Sequence, residues 1–186
     1  MNEKELVEHI KKVWDEAECL VDGQTVERSI SVMAGQITED YADKNPLLLC
    51  LMKGAVVFMG QLLTKLPFPL EIDYIHASRY GDELVGENLN WVYQPAPEKM
   101  AGRHIILIDD IFDQGATLAA CVDWLKKQGA ASVEAAVLVE KKHDRVLTTF
   151  EPKYIGVEVP DEFVVGYGMD YRNYFRNANG IFKVAP

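Results

Sequence analysis

The sequence predicts an α/β fold: a mostly parallel twisted sheet flanked by helices on both faces, with a small extra lobe built from the chain ends. Three observations predict it. Short continuous apolar runs recur at 47–52, 105–108, 133–139 and 154–159, the pattern of strands buried on both faces. Segments of helical periodicity alternate with these runs. Short links join strand to helix to strand, which favours parallel neighbours covered above and below.

Each element has its own signal. Residues 3–18 place Leu6, Ile10, Val13, Trp14 and Ala17 at helical spacing, with acids early. Asp22-Gly23 breaks this helix. Thr25 can cap a second one over 26–42, with Val26, Ile30, Met33, Ile37 and Tyr41 on one face. Asn45-Pro46 ends that region, and the first apolar run follows. Lys53-Gly54 punctuates it, and 55–66 resumes helical spacing. Pro67 and Pro69 precede a strand at 70–77. Residues 78–102 are polar and carry Gly81, Gly86, Pro95, Pro97 and Gly102. They predict a mobile stretch with strand pairing around 89–93. After the second run, Leu118, Cys121, Val122 and Leu125 mark one face of a helix that Gly129 terminates.

The 186 residues suit one domain, expected over 1–186, with a core at about 25–150 and a lobe from about 1–24 and 151–186. No repeat or low-complexity tract interrupts it. A mixed-charge start and no long apolar run predict neither a secretory signal nor a membrane span. Cysteines at 19, 50 and 121 match no zinc or redox spacing and read as reduced thiols of a cytoplasmic protein. The histidines at 9, 76, 104 and 143 are scattered, which argues against a zinc site. A net charge of −10 argues against nucleic acid or an anionic membrane as partner. An anionic substrate then needs local help from helix N-termini, placed Lys and Arg, and a divalent cation.

The most informative stretch is Ile105-Ile106-Leu107-Ile108-Asp109-Asp110-Ile111-Phe112-Asp113-Gln114-Gly115-Ala116-Thr117. An apolar strand ends in two carboxylates, and a glycine turn then opens a helix. In open parallel sheets ligands bind at the carboxyl ends of strands. Adjacent carboxylates there can accept two hydroxyls of one sugar or share a cation. The helix start offers unpaired N–H groups to an anion, and Gly115 permits close backbone approach. A diol site beside a phosphate site suits a ribose 5-phosphate. Solvated acid pairs and plain glycine turns are common, so spacing alone favours this reading only modestly. The segment is neither a Walker loop nor a dinucleotide fingerprint.

The same segment resembles the phosphoribosyl-diphosphate signature of type I phosphoribosyltransferases, with Gln114 where Thr is usual. Pro160-Asp161-Glu162-Phe163-Val164-Val165-Gly166-Tyr167-Gly168-Met169-Asp170-Tyr171, then Tyr174-Phe175-Arg176, is similar to the base-binding end of hypoxanthine-guanine phosphoribosyltransferases. The resemblance spans about 47–182. It implies the type I phosphoribosyltransferase fold, purine salvage, Mg2+ as cofactor, and a homodimer or homotetramer. The implied reaction joins 5-phosphoribosyl 1-diphosphate to hypoxanthine or guanine, giving IMP or GMP and diphosphate.

By this resemblance Asp109 and Asp110 hold the ribose hydroxyls and, with Asp170, the metal. Asp113 is the general base or acid near the purine N7; its plainer reading is a helix N-cap. Gln114, Gly115, Ala116 and Thr117 form the 5′-phosphate cradle. Lys53 and Gly54 form the diphosphate loop, with Met52–Lys53 a candidate cis peptide, and Arg176 contacts the diphosphate. Phe163 stacks on the purine and Val164 reads it with main-chain groups. Lys141, with Lys142 one residue away, donates to the 6-oxo group. A charged donor there suits hypoxanthine and guanine and disfavours adenine, which presents a donor of its own. Residues 78–92 are the closing loop, in which Arg79 replaces a small hydroxyl residue beside Tyr80 and offers diphosphate a cationic contact. Alternatives are a xanthine-preferring homologue, a nucleotide-sensing RNA-binding regulator, which the net charge opposes, and a non-catalytic nucleotide-binding domain.

Overall fold

The computed structural model describes residues 2–79 and 89–185. In chain order these form α1 (Glu3–Asp15), β1 (Glu18–Asp22), α2 (Gly23–Tyr41), β2 (Leu47–Leu51), α3 (Val56–Leu63), β3 (Glu71–Arg79), β4 (Leu89–Tyr93), a short 3-10 turn (Pro97–Lys99), β5 (His104–Phe112), α4 (Ala116–Lys127), β6 (Ser132–Lys142), β7 (Tyr154–Pro160), β8 (Val164–Val165) and β9 (Gly180–Lys183).

The main sheet has the order β4-β3-β2-β5-β6-β7. Its five-strand run from β3 to β7 is parallel, and only β4 runs antiparallel, on the β3 edge. The apolar runs do not alternate with polar residues because both faces are covered. Leu48, Cys50, Ile106 and Ile108 pack with residues of α2 and α3, while Leu47, Leu49, Ile105 and Leu107 pack with the apolar face of α4. Neighbouring residues of one strand thus serve opposite layers, as the two-residue repeat of a strand requires. Each such side chain taken fully out of water contributes about 1.5–3 kcal/mol.

A second sheet of three strands, in the order β1-β9-β8, joins the two ends of the chain by antiparallel pairing. Ile10 and Val13 of α1 pack with Val165, Tyr171 and Val184, and Trp14 stacks on Phe175 with ring centroids 5.1 Å apart.

Several expected boundaries shift. The first helix stops at Asp15, and 18–22 becomes a strand. Its partner β9 lies more than 150 residues away in sequence, beyond the reach of local periodicity. The second helix is capped by Asp22 rather than Thr25: the Asp22 side chain accepts the Thr25 main-chain N–H at 2.8 Å. A carboxylate at that position also favours the positive end of the helix. Of the loop expected over 78–92, Ser78 and Arg79 pair with Asn90 and Leu89 as strand. The expectation for Tyr80 and Gly81 falls outside the described residues.

Cys50 of β2 and Cys121 of α4 are buried on opposite faces of the main sheet, whereas Cys19 is exposed on the second sheet. Burial, with the nearby charge of Asp109, pushes both buried thiols up to about 12. A thiol reagent at about pH 8 is therefore expected to label one cysteine of the native protein quickly and all three in denaturant. Rapid labelling of three in the native state would contradict this packing.

Candidate active site

The site begins where β5 outruns its neighbour. Pairing between β2 and β5 ends at Cys50 and Ile108, but pairing between β5 and β6 continues from Asp109 opposite Val137 to Phe112 opposite Glu140. The strand does not stop at Ile108, as the apolar run implied, but carries the acid pair within it. β2 instead turns away through a cis peptide at Met52–Lys53. Gly54 then lies so near that a β-carbon on it would sit 2.1 Å from Asp110 Oδ2. A side chain there would displace the carboxylate.

Asp109 is buried and Asp110 partly exposed. Burial raises the carboxyl of Asp109 well above its ordinary value, and the charge of Asp110 adds to the effect. Burial raises Asp110 as well, opposed by its hydrogen bond with Asp109 and by the charge of Arg176. The pair therefore seeks hydrogen-bond donors or positive charge, which sugar hydroxyls or a divalent cation supply. The donor set fits a hard cation that retains other oxygen ligands. Among the described residues no three carboxylate, histidine or thiol side chains gather as a metal cluster. Asp170 is ion-paired with Arg176, whose guanidinium also donates to the Gly168 carbonyl.

Beyond Phe112 the chain makes the turn that starts α4. Gly115 has φ +76° and occupies the N-cap, so Asp113 is not a cap. The first N–H groups of α4 have no partner within the helix, and the residues that bear them line a cavity of about 380 Å³. That cavity brings together Gly54, the Asp109–Asp110 pair, Asp113, the turn from Gln114 to Thr117, and Arg176. The arginine is thus part of the cavity wall rather than a plain surface residue.

Asp113 is held from two sides. Lys141 Nζ donates to Oδ2 at 2.9 Å, and His143 Nε2 lies 2.6 Å from Oδ1. Burial pulls the Asp113 carboxyl up, but these hydrogen bonds and the accompanying charge outweigh it and hold the group below the usual carboxylate value. Asp113 is therefore an anion at neutral pH. Lys142 instead pairs with Glu140 and Glu158, so of the two adjacent lysines Lys141 is the one at the site. Sequence reasoning missed His143. The available signal was the two-residue strand repeat, which sends positions 141 and 143 the same way.

Other expected residues lie around this centre rather than in it. Lys53 is exposed on the β2–α3 turn. Phe163 is exposed at 41% and meets Tyr171 edge-on, with ring centroids 5.9 Å apart. A large aromatic left open in this way has a face to offer a ligand. Val164 is buried in β8, the edge strand of the small sheet, whose outer main-chain edge is not used by another strand among the described residues. Arg79 closes β3 opposite Leu89, and Tyr80 lies outside the described residues.

Beyond the parallel sheet that carries a carboxylate pair beside a helix start, residues 16–172 match the phosphoribosyl transferase domain. The chain belongs to the phosphoribosyltransferase family. It is 35% identical over 168 residues to the hypoxanthine-guanine phosphoribosyltransferase of Streptococcus pneumoniae, covering 90% of this chain and 89% of that one. It is 40% identical over 142 residues to the enzyme of the same name from Streptococcus thermophilus, covering 76% and 78%. A crystal structure of a hypoxanthine phosphoribosyltransferase from Staphylococcus aureus superposes with a TM-score of 0.84 at 29% identity, covering 91% of each chain. Among the described residues no helix is long and apolar enough to cross a membrane.

The buried pair costs the free protein stability. A carboxyl whose value is raised on folding holds its proton more tightly when folded. Stability is then lost as pH rises from the unfolded value through the folded one. Asp109→Asn removes that charge and keeps an oxygen able to accept the Asp110 main-chain N–H, now at 2.9 Å. The variant is expected to melt higher than the parent in ligand-free buffer at pH 7.5, by about 2–4 °C for each ~1 kcal/mol relieved, while losing most of its turnover. A lower melting temperature would contradict this account.

Proposed function

We propose that this cavity transfers the 5-phosphoribosyl group of 5-phosphoribosyl 1-diphosphate to a ring nitrogen of hypoxanthine or guanine, giving IMP or GMP and diphosphate. The observation that carries the reading is one cavity holding both a buried carboxylate pair and the unpaired N–H groups that start α4. A ribose 5-phosphate presents two hydroxyls and a dianion at that separation of functions.

In this reading Asp109 and Asp110 accept the 2′ and 3′ hydroxyls, and Gln114 to Thr117 cradle the 5′-phosphate with main-chain N–H groups and the Thr117 hydroxyl. As the bond at C1′ breaks, positive charge grows on the sugar and negative charge on the leaving diphosphate. The carboxylate pair favours the first, while Lys53 and Arg176 favour the second. Mg2+ held by Asp109 and Asp110, with Asp170 close to Arg176 as a further oxygen donor, would add neutralising charge to the diphosphate. Phe163 stacks on the base, the open edge of Val164 offers it main-chain groups, and Lys141 donates to its 6-oxo oxygen. Asp113, ionised at neutral pH, accepts the proton that the base gives up at N7. The segment around Arg79 and Tyr80 closes the site against water. We place the enzyme in the cytoplasm as a homodimer or homotetramer, in keeping with its free cysteines and with the family.

The direct test mixes protein, Mg2+, 5-phosphoribosyl 1-diphosphate and hypoxanthine, guanine or xanthine separately, and follows nucleotide formation by absorbance. Product with the first two bases is expected, and none with any base would refute the reading. Asp113→Ala is expected to lower kcat about 100-fold or more while the protein still folds and binds IMP. Lys141→Ala is expected to raise KM for the oxopurine more than it lowers kcat, with KM for the activated sugar little changed.

A further inference from the structure

The segment that follows β6 contacts the reactive turn at three positions. His143 meets Asp113. The Leu147 main-chain N–H donates to the Gln114 carbonyl at 2.9 Å. The methyl of Thr148 lies against Gly115, 2.7 Å from where a β-carbon would be. No role for this segment follows from the acid-pair motif or from the base-binding stretch.

The imidazole has little freedom. Its side chain is 4% exposed. Its Nδ1 accepts the Arg145 main-chain N–H at 3.0 Å, so the proton of the neutral ring sits on Nε2 and is donated to Asp113 Oδ1 at 2.6 Å. Arg145 is in turn clamped by both oxygens of Asp161, at 2.6 and 2.7 Å. Asp161 lies two residues before Phe163, the aromatic proposed to stack on the base. A continuous set of contacts thus runs from the proposed stacking segment to the carboxylate.

We propose that His143 is a positioning residue for phosphoribosyl transfer: it pins Oδ1 of Asp113 and so presents Oδ2 to the N7 proton of the incoming base. The two oxygens of Asp113 then have separate tasks. Oδ1 stays with the buried ring, whose own second nitrogen is occupied. Oδ2 meets the ammonium of Lys141 at 2.9 Å, and the three N–H groups of that ammonium can be shared between this oxygen and the 6-oxo group of the base. As the C1′–N9 bond forms and the C1′–diphosphate bond breaks, the N7 proton passes to Oδ2. His143 keeps its own proton throughout. Without the ring, the carboxylate can rotate towards Lys141 and lose the orientation that proton transfer demands.

This inference rests on Asp113 as the proton acceptor, so the experiment measures both residues. His143→Gln places an amide N–H near the position of Nε2, whereas His143→Met fills similar volume with no donor. His143→Asn, too short to reach, repeats the donor loss should the Met protein not fold. With saturating activated sugar and Mg2+, the Met or Asn variant is expected to lose about tenfold in kcat, with KM for the base changed less than about threefold. The Gln variant should stay within about threefold of the parent. In an Asp113→Ala background the same loss of donor should change kcat less than about twofold, because its effect runs through Asp113. Equal kcat for Gln and Met variants, or a Met defect that persists undiminished without Asp113, would overturn the role of His143. An Asp113→Ala enzyme as fast as the parent would instead remove the proton acceptor itself, and this inference with it.

Discussion

Asp109 is a carboxyl group carried into the interior by the strand that bears it. β5 is apolar from Ile105 to Ile108, bonded to strands on both sides, and continues through two acids before it turns. Because the strand stays paired with β6, Asp109 cannot retreat into water without breaking the sheet. Burial then disfavours the charge of both acids, and the free protein holds a pair that calls for donors. Gly54 leaves room for the Asp110 carboxylate, and the charge of Arg176 acts on it. Stability is held down at the place where binding a sugar and a cation can restore it.

The protein carries a net charge of −10 and must still receive a polyanion. Its answer is positional. The cations at the site are tied to acids: Arg176 to Asp170, and Lys141 to Asp113. Pairing fixes their direction and lowers the entropy lost on binding. The first turn of α4 adds positive potential with no formal charge, since it derives from unpaired N–H groups. A field arranged this way acts within a few ångströms, where global charge matters least.

Much of the machinery was legible from the sequence, and the reasons are physical. The run from Ile105 to Thr117 is contiguous, so strand, acid pair, glycine turn and helix start are ordered by the chain itself. Where the reading fell short, the contacts are non-local. β1 looked like the tail of a helix because its partner β9 is at the other end of the chain. His143 looked scattered because Asp113 lies thirty residues before it. The choice between Lys141 and Lys142 turned on which one faced Glu140 and Glu158. Asp113 could have served as a helix cap; Gly115 takes that place because its left-handed backbone conformation suits the turn into α4.

Local order therefore determined the fold class, the strand that bears the carboxylate pair, and the glycine turn that opens α4, since each depends on residues within a dozen positions of one another. Tertiary structure alone decided which cations reach the site, that Asp170 pairs with Arg176, and that a buried histidine grips Asp113. Those outcomes depend on the register of β5 against β6 and on where the segment after β6 folds back. Such distances between remote parts of the chain are set by the packing of the whole sheet.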